Sequence, residues 1–250
     1  MERRKIGTTL GLMASAVVIA LAAVGGLTAG RNGGEIVSDC GAQPSPSGQV
    51  YEEEGTVFRQ VDPCGRTAIT CNVDWGEEEI PKILDILKER NVKITFFVSG
   101  KWAEKNPKLL RRMFVEGHQI GSHGYGHKLC SKISTDQVRE EIEKTEQAIE
   151  PLLGTELSLF APPSGDYDAE TVELCRELGY KLTLWSADTI DWRAGSTADV
   201  IAQRILKKDL DGGIILMHPK PETVKALPNI LDCLKERGLK PGTLYDLGVY

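Results

Sequence analysis

The sequence predicts an α/β fold, a barrel or barrel-like parallel sheet, and three observations carry that prediction. Apolar runs such as Val92–Val98 and Ile214–Met217 are nearly unbroken, as in parallel strands covered by helices; half-exposed antiparallel strands alternate instead. Helix-like segments with apolar residues at three- and four-residue spacing separate most of these runs. Short polar clusters follow directly on the runs, and parallel α/β folds gather ligands and chemistry at their C-terminal strand ends.

The elements follow in order. Arg3-Arg4-Lys5 precedes an uncharged stretch from Ile6 to Gly30 that includes Leu10–Leu12 and Ala14–Val24. This reads residues 1–30 as a secretory signal or membrane anchor, and the length of the run favours an uncleaved anchor. Leu27-Thr28-Ala29 is a fair match to a small-residue cleavage site. The basic end should stay in the cytoplasm, leaving the rest extracytoplasmic. Residues 31–55, with Gly33-Gly34, Pro44–Gly48 and Glu52–Glu54, show no periodic apolar face and read as a flexible tether. The folded domain is expected over 56–250.

Within it, Glu78–Arg90 carries Ile80, Ile83, Leu84 and Leu87 at helical spacing, with Pro81 early and Asn91 at its end. Ser134 and Gln137 form a capping-box signature before Val138, Ile142 and Ile149. Asp168 opens a helix that Gly179 closes, and Ser196 or Thr197 opens the next. A last helix holds Leu227, Ile230, Leu231 and Leu234. The formal net charge is −6 and the basic cluster sits at the N-terminus, so the body is acidic. No basic stripe marks a nucleic-acid partner. Of six cysteines, Cys71, Cys175 and Cys233 read as small core residues, and Cys40 and Cys64 as a loop pair able to bridge.

The polar clusters are Asn72-Val73-Asp74 after Thr67–Cys71, His123 and His127 after Gln119–Ile120, Pro162-Pro163 after Leu157–Phe160, Asp188 and Asp191-Trp192 after Leu182–Ser186, and His218 after Ile214–Met217. Two histidines four residues apart, with Asp74 from another strand end, make a divalent-metal set that leaves positions open for water and substrate. A histidine pair that holds no metal is the bland alternative. His118 precedes its strand and reads as structural. His218 shares the rim with Asp188 and Asp191, and a carboxylate that fixes its tautomer makes it a usable general acid. Trp192 would give that site an apolar wall, while Asp188 reads equally as a loop cap.

These residues resemble the polysaccharide deacetylases of the NodB-homology type, carbohydrate esterase family four. The resemblance runs from Val57 to Leu247 and rests on Ala68–Gly76, Ile94–Val98, Gly117–His127, Phe160–Gly165, Trp185–Trp192 and Gly213–His218. Asn72–Gly76 and Ala161–Gly165 look most like a sporulation-associated, YlxY-like subgroup. The resemblance implies a distorted (β/α) barrel of about seven units and a divalent metal, zinc foremost, with cobalt or manganese as alternatives. It also implies removal of N-acetyl groups from peptidoglycan, chitin or a related cell-wall glycan. It assigns His123 and His127 to the metal, His218 to protonation of the leaving amine, and Asp191 to its support. Pro162, Pro163, Gly165, Trp192 and Asp188 fall among the substrate-binding positions.

Two departures stand out. The family's first motif has two adjacent aspartates, a base and then a metal ligand; here those positions hold Asn72 and Val73, with Asp74 one place further as ligand or as substitute base, and an arginine that orients the base is replaced by Ala161. An amide cannot take a proton from water, and without the base the arginine has no task, so the two changes are mutually consistent. The sequence therefore supports a deacetylase and, as its rival, a catalytically impaired glycan-binding relative. An iron oxygenase using the two histidines and the carboxylate is a third reading. Such sites belong to β-rich folds, and this chain reads α/β.

Overall fold

The computed structural model describes residues 56–250, so the expected anchor at 1–30 and tether at 31–55 lie outside the described residues. In chain order the elements are β1 (Val57–Phe58), β2 (Arg66–Val73), α1 (Ile80–Glu89), β3 (Thr95–Val98), α2 (Gly100–Lys105), α3 (Pro107–Val115), β4 (Gln119–Ser122), α4 (Thr135–Leu153), β5 (Leu159–Phe160) and α5 (Ala169–Leu178). There follow β6 (Lys181–Thr183), β7 (Ala187–Asp188), α6 (Ala198–Leu206), β8 (Ile214–Met217), α7 (Pro221–Glu236) and β9 (Lys240–Gly242). The strands form one curled sheet in the order β1-β6-β5-β4-β3-β2-β8-β7, with β9 also on β2. All pairings between these strands are parallel, as the unbroken apolar runs require.

The run Leu182–Ser186 was expected as one strand, but it divides into β6 and β7 because it changes partner midway. The Leu184 amide donates to Phe58 at 2.8 Å, and the Ser186 amide donates to Ile214 at 3.0 Å. One segment thus serves both sides of the barrel's seam. Beside it, β1 pairs with β6, and the Val61 amide donates to Gly212 at 2.9 Å. The first described residues therefore fill the gap at the start of β8. Counting β6 and β7 as one stave, the path has seven staves.

The two-residue strand period sorts the core. Ile69, Cys71, Val73, Phe96, Val98, Phe160, Leu182, Ile215 and Met217 face outward under the helices. Ala68, Phe97, Leu159, Ala161 and Ile214 face inward and meet Leu244, Leu247 and Val249 from the C-terminal segment, which plugs the barrel floor. A Cβ on Gly121 would stand 2.6 Å from the Phe97 ring, so only glycine lets that ring fill the interior. Truncating Phe97 to alanine would cost about 3–5 kcal/mol.

The capping signals are realised. Ser134 and Gln137 complete a capping box on α4, Asp168 caps α5, Thr197 rather than Ser196 caps α6, and Gly179 ends α5 in the left-handed region. Helices α2 and α3 had no clear sequence signal; α2 is six residues long and buries only Gly100, Trp102 and Ala103. Cys71 and Cys175 are core residues as expected. Cys233 is not: it is half-buried, and its thiol donates to the Asn229 side chain one helical turn back, at 3.3 Å. Cys64 is exposed, and Cys40 lies outside the described residues.

Candidate active site

The inward-facing register that builds the floor also builds the mouth. Continuing it along each strand brings Asn72, Ser99, His123, Ala161, Asp188 and His218 to the inner face at the C-terminal rim. The β2–β8 pairing ends with Cys71 opposite Met217, which makes Asn72 and His218 the next pair.

The β8 side is fully bonded. His218 Nδ1 lies 2.7 Å from Asp191 Oδ1, and the His218 amide donates to Asp191 Oδ2 at 2.7 Å. The Thr223 hydroxyl donates to the same oxygen at 2.8 Å. Burial alone would raise the Asp191 carboxyl, but the His218 ring, the His218 amide and Thr223 together hold it below its ordinary range. An ionised Asp191 keeps the proton of His218 on Nδ1, leaving Nε2 to exchange a proton with a ligand. Asp188 is turned onto its own loop, accepting from the Ile190 amide at 2.7 Å; burial raises its carboxyl. It is the loop cap that the sequence left as one of two readings.

The β4 side brings the two histidines together. His123 and His127 rings stand edge to face with centroids 4.9 Å apart. His123 Nδ1 bonds to the Ala161 carbonyl at 2.7 Å, which points Nε2 away from the backbone as a free ligand nitrogen. Burial, then the neighbouring His127, push His123 down to about 3, so its imidazole is neutral. Gly124 and His127 both take positive φ, 73° and 55°, to fold the loop back on itself. What holds that loop is Glu141 on α4, which the sequence analysis missed. It is a buried carboxylate that accepts from the Gly126 amide at 2.6 Å and pairs with Lys128 at 3.0 Å. Its only sequence signal is an acid on the helix face shared with Val138, Ile142 and Thr145.

The β2 side is different. Asn72 is 5% exposed, and its Oδ1 has no hydrogen-bond partner among the described residues. The small Ala161 occupies the place where the family resemblance puts an arginine. Asp74 was expected to join the two histidines. Instead the Ser99 hydroxyl donates to its Oδ1 at 2.5 Å, and no group of three His, Cys, Asp or Glu side chains is gathered among the described residues. The neutral imidazole of His123 with His127 beside it fits a divalent metal, but Asp74 is bonded to Ser99, which lies alongside at the end of β3.

The remaining expectations divide. Trp192 is 54% exposed at the rim, beside Asp191. Pro162, Pro163 and Gly165 were expected to touch substrate, but all three are buried, and the exposed residue of that turn is Ser164. Gly165 has φ 67°, and a Cβ there would meet the Trp185 ring at 2.8 Å. The turn therefore shapes the wall. His118 is structural as expected: it accepts from the Ile94 amide at 3.2 Å and packs on Phe96, and burial lowers it to about 4. A surface hollow of about 320 Å³ among Thr135, Glu170, Glu173 and Glu177 lies on the outer helical layer, without imidazole or thiol.

With this geometry the comparisons agree. The polysaccharide deacetylase family model matches residues 60–183. The YlxY protein of Bacillus subtilis is 36% identical over 180 residues, covering 72% of this chain and 56% of that protein. A peptidoglycan-N-acetylglucosamine deacetylase of Bacillus cereus is 36% identical over 189 residues, covering 73% of this chain and 68% of that protein. Among solved structures, a pseudoenzyme of carbohydrate esterase family four from Bacillus anthracis aligns with a TM-score of 0.75 and 34% identity, over 78% of this chain and 69% of that one. A mutant of the pseudoenzyme, described as having restored enzymatic activity, aligns with the same score at 33% identity, over 78% of this chain and 72% of the mutant. The chain thus spans little more than half the length of the YlxY relative. Fold, rim and sequence lead to one assignment: the chain belongs to the polysaccharide deacetylase family.

Proposed function

We propose that this domain is a metal-dependent hydrolase that removes N-acetyl groups from an amino-sugar polymer of the cell wall, working outside the cytoplasmic membrane to which residues 1–30 attach it. The observation that carries this reading is the Asp191–His218 dyad, 2.7 Å between ring nitrogen and carboxylate, on the same rim as the adjacent rings of His123 and His127. Two relatives named for deacetylation of peptidoglycan amino sugars support the substrate class.

His123 and His127 would hold the metal, zinc first and cobalt or manganese as alternatives, and Asp74 would join them by turning away from Ser99. When bound, such a metal supplies Lewis acidity and a water of lowered pKa. His218 Nε2 delivers a proton to the departing amine while Asp191 fixes the ring and stabilises its charged form. Asn72 stands where the proton of the attacking water would have to go, and its amide can accept a hydrogen bond but not the proton. Losing a general base costs about 100- to 10,000-fold in rate, so turnover is expected to be slow.

A second reading is favoured by the orphaned Asn72 oxygen beside Ala161 and by the likeness to a pseudoenzyme. In it the mouth binds glycan without turnover. Acetate release from acetylated glycan, measured with added zinc, cobalt or manganese, separates the two. Release above that of Asp74→Ala and His218→Ala supports the hydrolase. Release equal to theirs supports the binding module.

A further inference from the structure

The mouth carries a rim of aromatic rings, and each ring has a cation on it. Trp75, from the β2 loop, is 38% exposed and stacks on His218 with ring centroids 6.0 Å apart. The Lys220 ammonium lies 4.5 Å from the centre of the Trp75 indole. Trp192, from the β7 loop, has the Arg193 guanidinium 5.3 Å from its ring centre. Tyr125, between His123 and His127, has Lys101 at 5.8 Å and Lys144 at 5.9 Å. These four cation–π contacts all have their rings on three neighbouring rim loops. The chain as a whole is acidic, with a net charge of −6. Positive charge and flat apolar surface are thus concentrated where the chemistry is.

The carboxylates on the same rim do not cancel this. Asp191 is bonded to His218 and Thr223, Asp188 to its own loop, Asp74 to Ser99 and Glu79 to Lys82, so none of these carboxylates pairs with Lys220 or Arg193. Lys220 and Arg193 form no ion pair among the described residues. Exposed cation–π contacts are weak, so a sugar ring stacking on an indole can displace the cation, and the displaced cation gains more from a ligand carboxylate. The Trp75 loop is anchored for this. Gly76, at φ 90°, lies against Pro219, where a Cβ would come within 2.5 Å of that residue. Trp75 and Lys220 are therefore held on abutting loops.

We infer that the mouth selects a carboxylate-bearing amino-sugar strand over a neutral one: Trp75 and Trp192 stack on the pyranose rings, and Lys220 and Arg193 read the carboxylates. This rests on the glycan reading above and decides between its two polymer classes, whether or not the site turns over.

The test is calorimetric titration of the full chain, solubilised in detergent, with three probes of equal length. These are a peptidoglycan-type tetrasaccharide with free lactyl carboxylates and no peptide, the same molecule with those carboxylates amidated, and neutral N-acetylchitotetraose. The free-carboxylate probe should bind about tenfold tighter than the other two, as expected from two exposed charge contacts. The preference should shrink in about 0.5 M salt. Lys220→Gln with Arg193→Gln should abolish it while leaving chitotetraose affinity unchanged, and Trp75→Ala should weaken all three probes. Equal affinity for the three probes, or equal loss on all of them in the double variant, overturns the charge selection and leaves the glycan reading standing. Failure to bind any probe overturns both.

Discussion

Asp191 and Asn72 are both buried polar side chains at the same rim, and each is 5% exposed. Asp191 accepts bonds from the ring and the amide of His218 and from Thr223, whereas the carbonyl oxygen of Asn72 accepts none among the described residues. A fully partnered buried carboxylate is expensive to lose, because removing it strands every donor it served. An orphaned buried amide already bears its desolvation cost. The β8 side of the mouth is thus a bonded carboxylate–imidazole pair, while the β2 side presents a neutral amide whose oxygen is unpaired among the described residues. Ala161 widens the contrast by leaving Asn72 no neighbour of the sort that would orient a base.

The largest expected effect breaks this comparison directly. The paired substitution Asn72→Asp and Ala161→Arg should raise acetate release by about 100-fold or more, read under single-turnover conditions with zinc. If the rate is unmoved, Asn72 does not stand where the base belongs. Next in size is stability. Asp191→Ala should lower the unfolding free energy by roughly 3 kcal/mol, while Asn72→Ala should cost under about 1 kcal/mol because no bond is lost. Urea midpoints at neutral pH compare the two, and equal losses would show that the contrast between the two sides is not energetic.

A third effect concerns acid. His118 and His123 are held down to about 4 and about 3 by burial. An unfolded histidine takes its proton near 6.5. The unfolded state therefore binds more protons once pH drops below about 6.5, and stability falls with pH. The slope for each histidine approaches about 1.4 kcal/mol per pH unit until the folded pKa is reached. The Asp191 carboxyl, held below its ordinary range, adds a further loss only below about pH 4. Melting temperatures from pH 7.5 down to about 5 should fall steadily in the wild type and less steeply in His118→Gln. A flat profile would mean that these imidazoles are not buried neutral.

Much of this was legible in the sequence because strand period and strand ends are local signals. Asn72, His123, Asp188 and His218 could be placed on one rim from apolar runs alone, and the caps at Ser134, Asp168 and Gly179 announce themselves. What could not be read depends on neighbours distant in sequence. Ser99 meets Asp74 only because β3 lies beside β2. Glu141 reads as an ordinary helix acid until α4 lies over the His123–His127 loop. The division of 181–188 between two partners needs β1 in the seam, and a two-residue strand has no period to detect. Pro162, Pro163 and Gly165 carried a motif, but a motif does not say which of its residues are turned inward.

The short strand β1 has a consequence for reach. All strands run the same way, so Val57 joins the domain at the end where strands begin, and the catalytic groups open at the other end. Thr56 therefore enters the sheet on the face opposite the mouth. An entry on that face leaves the rim unobstructed by the first described residues, so the opening is framed by the loops that follow the strands alone.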